Sequence, residues 1–593
     1  MDACTFESVE ELAAALAEVN ARSIRITHPL AADIAPVIME RARRYAAQGA
    51  PVLIVCVDDT AVARHRALLA EDAQLSPIDI VTMDELACRL LALPGVAEAA
   101  GRGSRVLTLN EIDVLMEDMK VTGNKPRRLR EMLRFFYRCF AEYADERPGW
   151  IFTPEEKEVF HVLERNLAAR ESVLPWEVAG VAYRGIGESG IALEPLNVLA
   201  VDFGAFSKAE QRLVERIATA DLVVSGVDGA SVSADEDYPC AEGFAAFCDE
   251  RAGSIDLALR PTLADRICET AVFDTPVDEF SQVARMIDER IGEGVAPEQI
   301  LLGVPNTVWA DHMANALAER GVRAFAMERA GKVKGDPRDA DRCALLAALT
   351  ALKLIDDGKD LPALRSWIGF GDYLLCSDSF KALMDHCEAD GKSMLEALGE
   401  VAACEPGQTL PFPYAFKFDL PLQALSHIRA LCGGKKGAEL VDALAESGVF
   451  VPERMRECAR NLGEAGTPAA LLAEMLRVPG YADAPVGAVI IAPYALCHGI
   501  HVNEVFVTGM VNGFLPHIDA LDDDHSVDHH RLALERDRAL LADVEACASR
   551  RVHRTLFERD LYDNAHALHM DIARIYCDDG RDIAKIAPSE LIA

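Results

Sequence analysis

No Cys-x-x-Cys pair occurs in this 593-residue sequence, although it holds 16 cysteines. They are scattered singly, as at Cys56, Cys88, Cys139 and Cys343. That argues against a zinc ribbon or an iron–sulfur clasp and for buried free thiols. No apolar run approaches the roughly 20 residues of a membrane-spanning helix, and the acidic start MDACTFESVEEL is not a signal sequence. No membrane partner is expected, and the cytoplasm is the expected compartment. No Pro-, Ser- or Gly-rich tract interrupts a composition that is half apolar and 26% charged, so the chain reads as folded and long enough for several domains. Glycine and lysine are also missing early: the first glycine is Gly49 and the first lysine is Lys120.

Positive charge is scarce too. The net charge is −36. A protein that grips many phosphates gains affinity by releasing counterions through Lys and Arg. A globally acidic surface opposes this unless basic residues gather in one groove. The balance suits a protein-binding or partner-dependent role at least as well.

What is present is alternation of strands and helices. Ser23–Thr27 reads as a strand, Ala31–Gln48 as an amphipathic helix ended by Gly49, and Pro51–Val57 as a buried strand, with Asp59 or Thr60 capping the next helix. A strand at Ile78–Thr82 and a helix at Asp84–Leu93 follow. Such alternation implies a parallel sheet with right-handed crossovers. From Leu109 to about Arg184 the pattern is helical, and strands return at Leu196–Val201 and Asp221–Ser225 around a helix at Lys208–Ala218. A second α/β stretch starts near Glu269, with strands at Thr270–Phe273 and Gln299–Val304 and helices at Val277–Ile291 and Trp309–Arg320. Residues 341–480 are again mainly helical, and the sheet resumes at Val489.

The wording at 486–517, VGAVIIAPYALCHGIHVNEVFVTGMVNGFLPH, is the most distinctive. An apolar run leads into His498-Gly499-Ile500, and a second, Val505-Phe506-Val507, ends in Gly509 and Asn512-Gly513-Phe514-Leu515-Pro516. It resembles motif V of the UvrD-type superfamily 1 helicases, closest to their AddB-like branch. The ending Ile586-Ala587-Pro588-Ser589-Glu590-Leu591 resembles the phrase that opens the nuclease module of AddB-like proteins. The resemblance leaves open whether a nuclease continues in a longer parent chain or has been lost. It implies an α/β fold of two RecA-like parallel-sheet domains, each with a mainly helical insertion (the 1A/1B/2A/2B layout). Domain 1A would span 1–108 and 190–268 and its insertion 1B 109–189. Domain 2A would span 269–340 and 481–593 and its insertion 2B 341–480.

Against that family the motor motifs are degenerate. ATP hydrolysis of this type needs a Gly-rich loop around the phosphates, a Lys on their oxygens and a hydroxyl on Mg²⁺. Here the loop is Thr27-His28-Pro29-Leu30-Ala31-Ala32-Asp33; it has no glycine and no lysine, and Asp33 would repel phosphate. The next metal-binding strand should end in Asp-Glu but ends in Asp202-Phe203, and phenylalanine cannot polarise water. Ser225-Gly226-Val227-Asp228-Gly229 stands at the γ-phosphate sensor, and Pro305-Asn306-Thr307 stands where an arginine is often offered. In the C-terminal helix, read from Glu535 through Arg551, Ser549 or Arg550 falls at the transition-state arginine, with a solvated basic helix end as the plainer reading. Thr27, His28, Asp33, Asp202, Phe203 and Arg550 are therefore vestigial nucleotide-site positions. No catalytic residue and no cofactor are expected, ATP and Mg²⁺ binding being lost.

Three further clusters stand out. Lys125-Pro126-Arg127-Arg128-Leu129-Arg130, with Arg134 and Arg138, is the densest basic run and adjoins Phe135, Phe136 and Tyr137. It is a solvated face or a contact for single-stranded DNA. On the DNA reading Arg127, Arg128 and Arg130 touch nucleic acid, with His498 in the motif V turn. Asp522 to His530 sets His525 and His529 four apart among carboxylates, which reads as an exposed acidic loop rather than a metal site. Gly433-Gly434-Lys435-Lys436-Gly437 reads as a turn.

The resemblance implies an ATPase-inactive helicase-like subunit of an AddAB-type helicase–nuclease in double-strand-break repair. Its partners would be an active UvrD/AddA-like helicase subunit and single-stranded DNA. The alternative is an acidic protein–protein scaffold without DNA binding, and an active ATP-dependent helicase is the weakest reading.

Overall fold

Every residue of the run Val52–Cys56 is buried, and such runs recur along the chain as the middle strands of parallel sheets covered on both faces. A computed structural model describes residues 4–70, 78–142, 152–227, 238–260, 266–329, 331–371, 378–405, 408–521 and 527–592. The chain divides into two compact units. One joins Met1–Leu86, Ala192–Arg329 and Val478–Ala593; the other joins Ala87–Ile191 and Ala330–Arg477.

The first unit holds two all-parallel sheets. The seven strands of the first are β1 (Cys4–Phe6), β2 (Ser23–His28), β3 (Val52–Cys56), β4 (Ile78–Thr82), β5 (Asn197–Ala200), β6 (Leu222–Val227) and β7 (Ile255–Leu259), in the order β1-β7-β2-β6-β5-β3-β4. The outlying β1 and β7 are absent from the sequence reading; β1 is three residues long, and only three of the five residues of β7 are buried. Helix α1 (Val9–Glu18) precedes β2, and α2 (Ala35–Ala47) lays Val37, Ile38, Ala42 and Tyr45 on the sheet. Helix α2 starts at Ala35 rather than Ala31: Pro36 favours the first helical turn, and Asp33 accepts a hydrogen bond from the Ala35 amide at 3.2 Å. Helix α3 (Asp59–Ala70) is capped by Asp58, one residue before the expected pair, through the Ala61 amide at 2.8 Å.

The second sheet has the strands β8 (Ile267–Phe273), β9 (Ile300–Val304), β10 (Ala324–Ala326), β11 (Val489–Pro493), β12 (Val502–Val507) and β13 (Ala548–Phe557), in the order β8-β13-β12-β9-β11-β10. The two strands of the distinctive 486–517 segment flank β9: Leu301 is in register with Ile490 on one side and Val505 on the other. Beyond β12, Gly509 has φ +68, and a Cβ there would meet Pro305 and Trp309 at 3.2 Å. Glu279, wholly buried, holds this bend: it accepts from the Gly509 amide (2.8 Å), the Thr555 hydroxyl (2.6 Å) and the Trp309 indole (3.4 Å).

The C-terminal arginines depart from the helical expectation. The helix that precedes β13, Val527–Ala546, stops before them, and Ser549, Arg550 and Arg551 lie on β13 itself. Pairing of this largely buried strand with a neighbour on each side overrides the helical reading. A small antiparallel sheet, Arg559–Leu561, Ile572–Asp578 and Arg581–Ile586, completes the unit.

Among the described residues, the second unit is helical apart from a two-residue strand pair, Arg105–Val106 with Ser172–Val173. Three of its helices start with reciprocal capping boxes, Thr108 with Glu111, Thr153 with Glu156 and Ser393 with Glu396. Its two sequence segments are joined by buried charge. Asp118 on helix Leu109–Met119 accepts from Arg365 on helix Leu361–Trp367 through Nη2 at 2.5 Å and Nε at 3.1 Å, and also from Arg170. Glu111 takes Arg105 at 2.8 Å and Lys353 at 2.7 Å.

Candidate functional site

The carboxyl ends of strands in an open parallel sheet are where such folds place ligands. In the first unit β2 ends in His28, β5 leads to Asp202, β6 ends in Val227 and β3 leads through Asp58 into α3. Facing them from the second sheet are the β11–β12 connection, with His498, Gly499, Ile500 and His501, and the end of helix Val527–Ala546, with Asp543 and Cys547 beyond it. Gly499, at φ +71, turns the chain back into β12. Together they enclose a cavity of about 50 Å³. A cavity of that size holds a few waters, whereas small-molecule and cofactor sites run from about 300 to 1,000 Å³.

The centre of the cleft is His498. Its Nδ1 lies 2.8 Å from Asp543 Oδ1 and its Nε2 lies 3.2 Å from Asp202 Oδ2. Ionised carboxylates only accept, so a ring bonded at both nitrogens donates from both and is an imidazolium. Burial pulls its pKa down. The Asp543 charge and the hydrogen bonds to Asp202 and Asp543 outweigh burial and hold it well above the usual histidine value. Burial pushes Asp202 up, but the hydrogen bond and charge of His498 bring its pKa below the ordinary carboxylate range. Asp202 has φ +55, in the left-handed region, where a non-glycine residue is strained; the cleft contacts hold it there.

The other imidazoles are neutral. His28 donates from Nδ1 to the Pro29 carbonyl at 3.1 Å, and its Nε2 sits 3.8 Å from Asp202 Oδ1, beyond hydrogen-bond distance. His65 on α3 bonds through Nδ1 to the Ala61 carbonyl at 2.8 Å. Burial lowers the pKa of both, and of His501. Burial also raises that of Asp58, with the His498 charge opposing it.

The amino end of α2, where a phosphate would sit in a nucleotide-binding unit, carries the protein's own anion. Asp33 caps it and is paired with Arg64 at 2.5 Å. The residues therefore do not fit ATP and Mg²⁺. The loop supplies no lysine, the helix end is taken by a carboxylate, and Asp202 is engaged by a cation of the chain itself.

Of the positions singled out from sequence, His28, Asp33, Asp202 and His498 converge on the cavity. Thr27 stays in β2, in register with Gly226 and Ala258. Phe203 is wholly buried and packs edge-on to Phe206 and Phe247, at 6.0 Å each. Arg550 is exposed on β13, outside the cavity lining. His498, expected beside nucleic acid, is bonded to two carboxylates. Arg127, Arg128 and Arg130 lie exposed on helix Pro126–Glu142 of the second unit; Arg127 pairs with Glu131 at 3.3 Å, and Arg128 with Glu131 and Glu155 at 3.5 Å each. The neighbouring Phe136 is buried against Phe152 and Phe160, and Tyr137 packs on Trp176. Phe136 thus serves the core, while Phe135 and Tyr137 are half-buried. Asp522–Ser526 lie outside the described residues, as do Asp228 and Gly229. Among the described residues, no three His, Cys, Asp or Glu side chains are arranged to hold a metal ion, and no helix is long and apolar enough to cross a membrane.

Nothing in the local sequence marks Asp58, His65, Arg64, His501 or Asp543 as site residues. A buried histidine midway along a helix, and an acidic residue in a charged helix, carry no local sign of a partner far away in the chain. A scan against protein-family models finds no match for this chain, and a search of curated proteins finds none either.

Proposed function

We propose that this chain is a helicase-like subunit that works without nucleotide: two RecA-like domains whose ATP cleft has become a structural joint. In that role it docks on an active UvrD/AddA-like motor in an AddAB-type helicase–nuclease and guides single-stranded DNA. The observation that carries the reading is the cleft itself. Two parallel sheets meet across their loop ends, as a two-domain motor requires, and histidine, Asp33 and Arg64 stand where phosphate chemistry would be. The order of the degenerate motifs along the sequence supports the same reading.

A second reading, an acidic scaffold that binds only protein, is favoured by the net charge of −36 and by the ion pairs that occupy Arg127 and Arg128. Titration of a fluorescent single-stranded oligonucleotide against salt separates the two. The guiding role predicts nucleotide-independent binding that weakens steeply with salt. Changing Arg127, Arg128 and Arg130 together to glutamine lowers the slope of log K against log salt by up to about 2, at roughly 0.7 for each phosphate no longer neutralised. No binding at low salt would establish the scaffold instead.

A further inference from the structure

Four of the 15 histidines in the sequence line one small cavity, and only one of them is fastened at both ring nitrogens. We propose that His498 is a proton-operated clasp between the two sheets of the first unit: bonded to Asp543 behind it and to Asp202 across the cleft, it holds the sheets together and releases them when the ring loses its proton. The inference rests on the cleft geometry and stands whether or not the helicase reading does.

The geometry is that of a backed cation. Asp543, almost fully buried on the helix that ends at Ala546, belongs with His498 to the second sheet's side. Its bond to Nδ1 orients the ring and holds the proton. The opposite ring edge, Nε2, is then a charged donor aimed at Asp202, which follows β5 of the first sheet. A charge-assisted bond of this kind is about twice as strong as a neutral one. On loss of the proton the ring keeps one N–H for two carboxylates. One bond is lost, and two buried anions then face an uncharged ring.

The other groups around the ring set the direction of the response. The first sheet's side presents Asp202, His28, Asp58, His65, and the Asp33–Arg64 pair; the second side presents Asp543, His501 and Cys547. Because the folded pKa of His498 lies above its unfolded value, the clasp's contribution is complete below about pH 6.5 and is lost as pH rises through the folded value. His28, His65 and His501 have depressed values, so their contributions fade as pH falls below that same range. The release is therefore alkaline, and acidification strains the cleft by a separate route.

The test uses the full chain and its Asp543→Asn and His498→Gln variants. Calorimetric unfolding is followed from pH 6 to pH 10, with ¹⁵N-histidine spectra reading the His498 ring. At pH 7 both ring nitrogens of His498 carry protons, and the wild-type advantage over His498→Gln shrinks toward zero as pH rises. Asp543→Asn moves this loss to lower pH by about one unit or more, since an opposite charge has been removed; a residue that merely packs would lower the midpoint without moving the profile. A neutral His498 ring at pH 7 overturns the clasp, as does a wild-type advantage independent of pH. If His498→Gln does not fold, the Asp543→Asn spectrum decides: an unshifted His498 titration overturns the clasp and a downward shift supports it.

Discussion

Replacing Phe203 with glutamate, the residue that the proposed helicase relationship would place after Asp202, is expected to destabilise the first unit by more than about 4 kcal/mol and to give no ATP hydrolysis. The ring is wholly buried between Phe206 and Phe247. Removing a buried phenyl costs about 3–5 kcal/mol, and the new carboxylate finds no partner in that aromatic cluster, which adds a further penalty. The backbone is fixed around the ring. Phe203 starts a 3₁₀ turn, and Gln211 on helix Lys208–Ile217 ties the Phe203 carbonyl down at 2.8 Å. Urea unfolding compares this variant with Phe203→Leu, for which a loss below about 1.5 kcal/mol is expected. A Phe203→Glu protein as stable as the wild type would show that the position still faces the cleft.

In the second unit, Asp118→Ala is expected to cost about 3–5 kcal/mol, because it leaves two guanidinium groups buried without their anion. Arg365 is about as buried as any side chain in the molecule, and its guanidinium lies 4.0 Å from the centre of the Phe380 ring. Burial already pushes the Arg170 guanidinium down to about 10, with Asp118 opposing; without the carboxylate that support is gone. Replacing Asp118, Arg170 and Arg365 together with leucine or methionine should recover much of the stability, since apolar packing often matches a buried ion network. Denaturant midpoints for the single and triple variants make the comparison. A single variant within about 0.5 kcal/mol of wild type, the range of ordinary surface changes, would mean that water reaches these arginines.

The sequence is most legible where local pattern and burial agree. Strands β3, β4 and β9 and the helices at 208–217 and 276–292 lie within a residue or two of their expected positions, because β-branched runs and amphipathic spacing are settled by neighbours a few residues away. The short β1 is not legible. Nor is the fate of Arg550, which depends on a strand pairing with Ile267–Phe273, nearly 300 residues earlier. The loop at Thr27–Asp33 borders the cavity. What fills it is hidden, because His498, Asp202, Asp543 and Arg64 meet only through long-range contacts. The 486–517 segment therefore holds two different devices. Gly509 and its bend are held by Glu279 within one sheet, while His498 reaches the other.

If the cleft has exchanged nucleotide for an internal ion network, titration of the full chain with ATP and Mg²⁺ by isothermal calorimetry shows it most directly. No saturable heat is expected up to millimolar ATP, in wild type and in His498→Gln alike, since Asp33 still caps α2 and no phosphate loop exists. Saturable binding with a low-micromolar Kd would contradict the exchange.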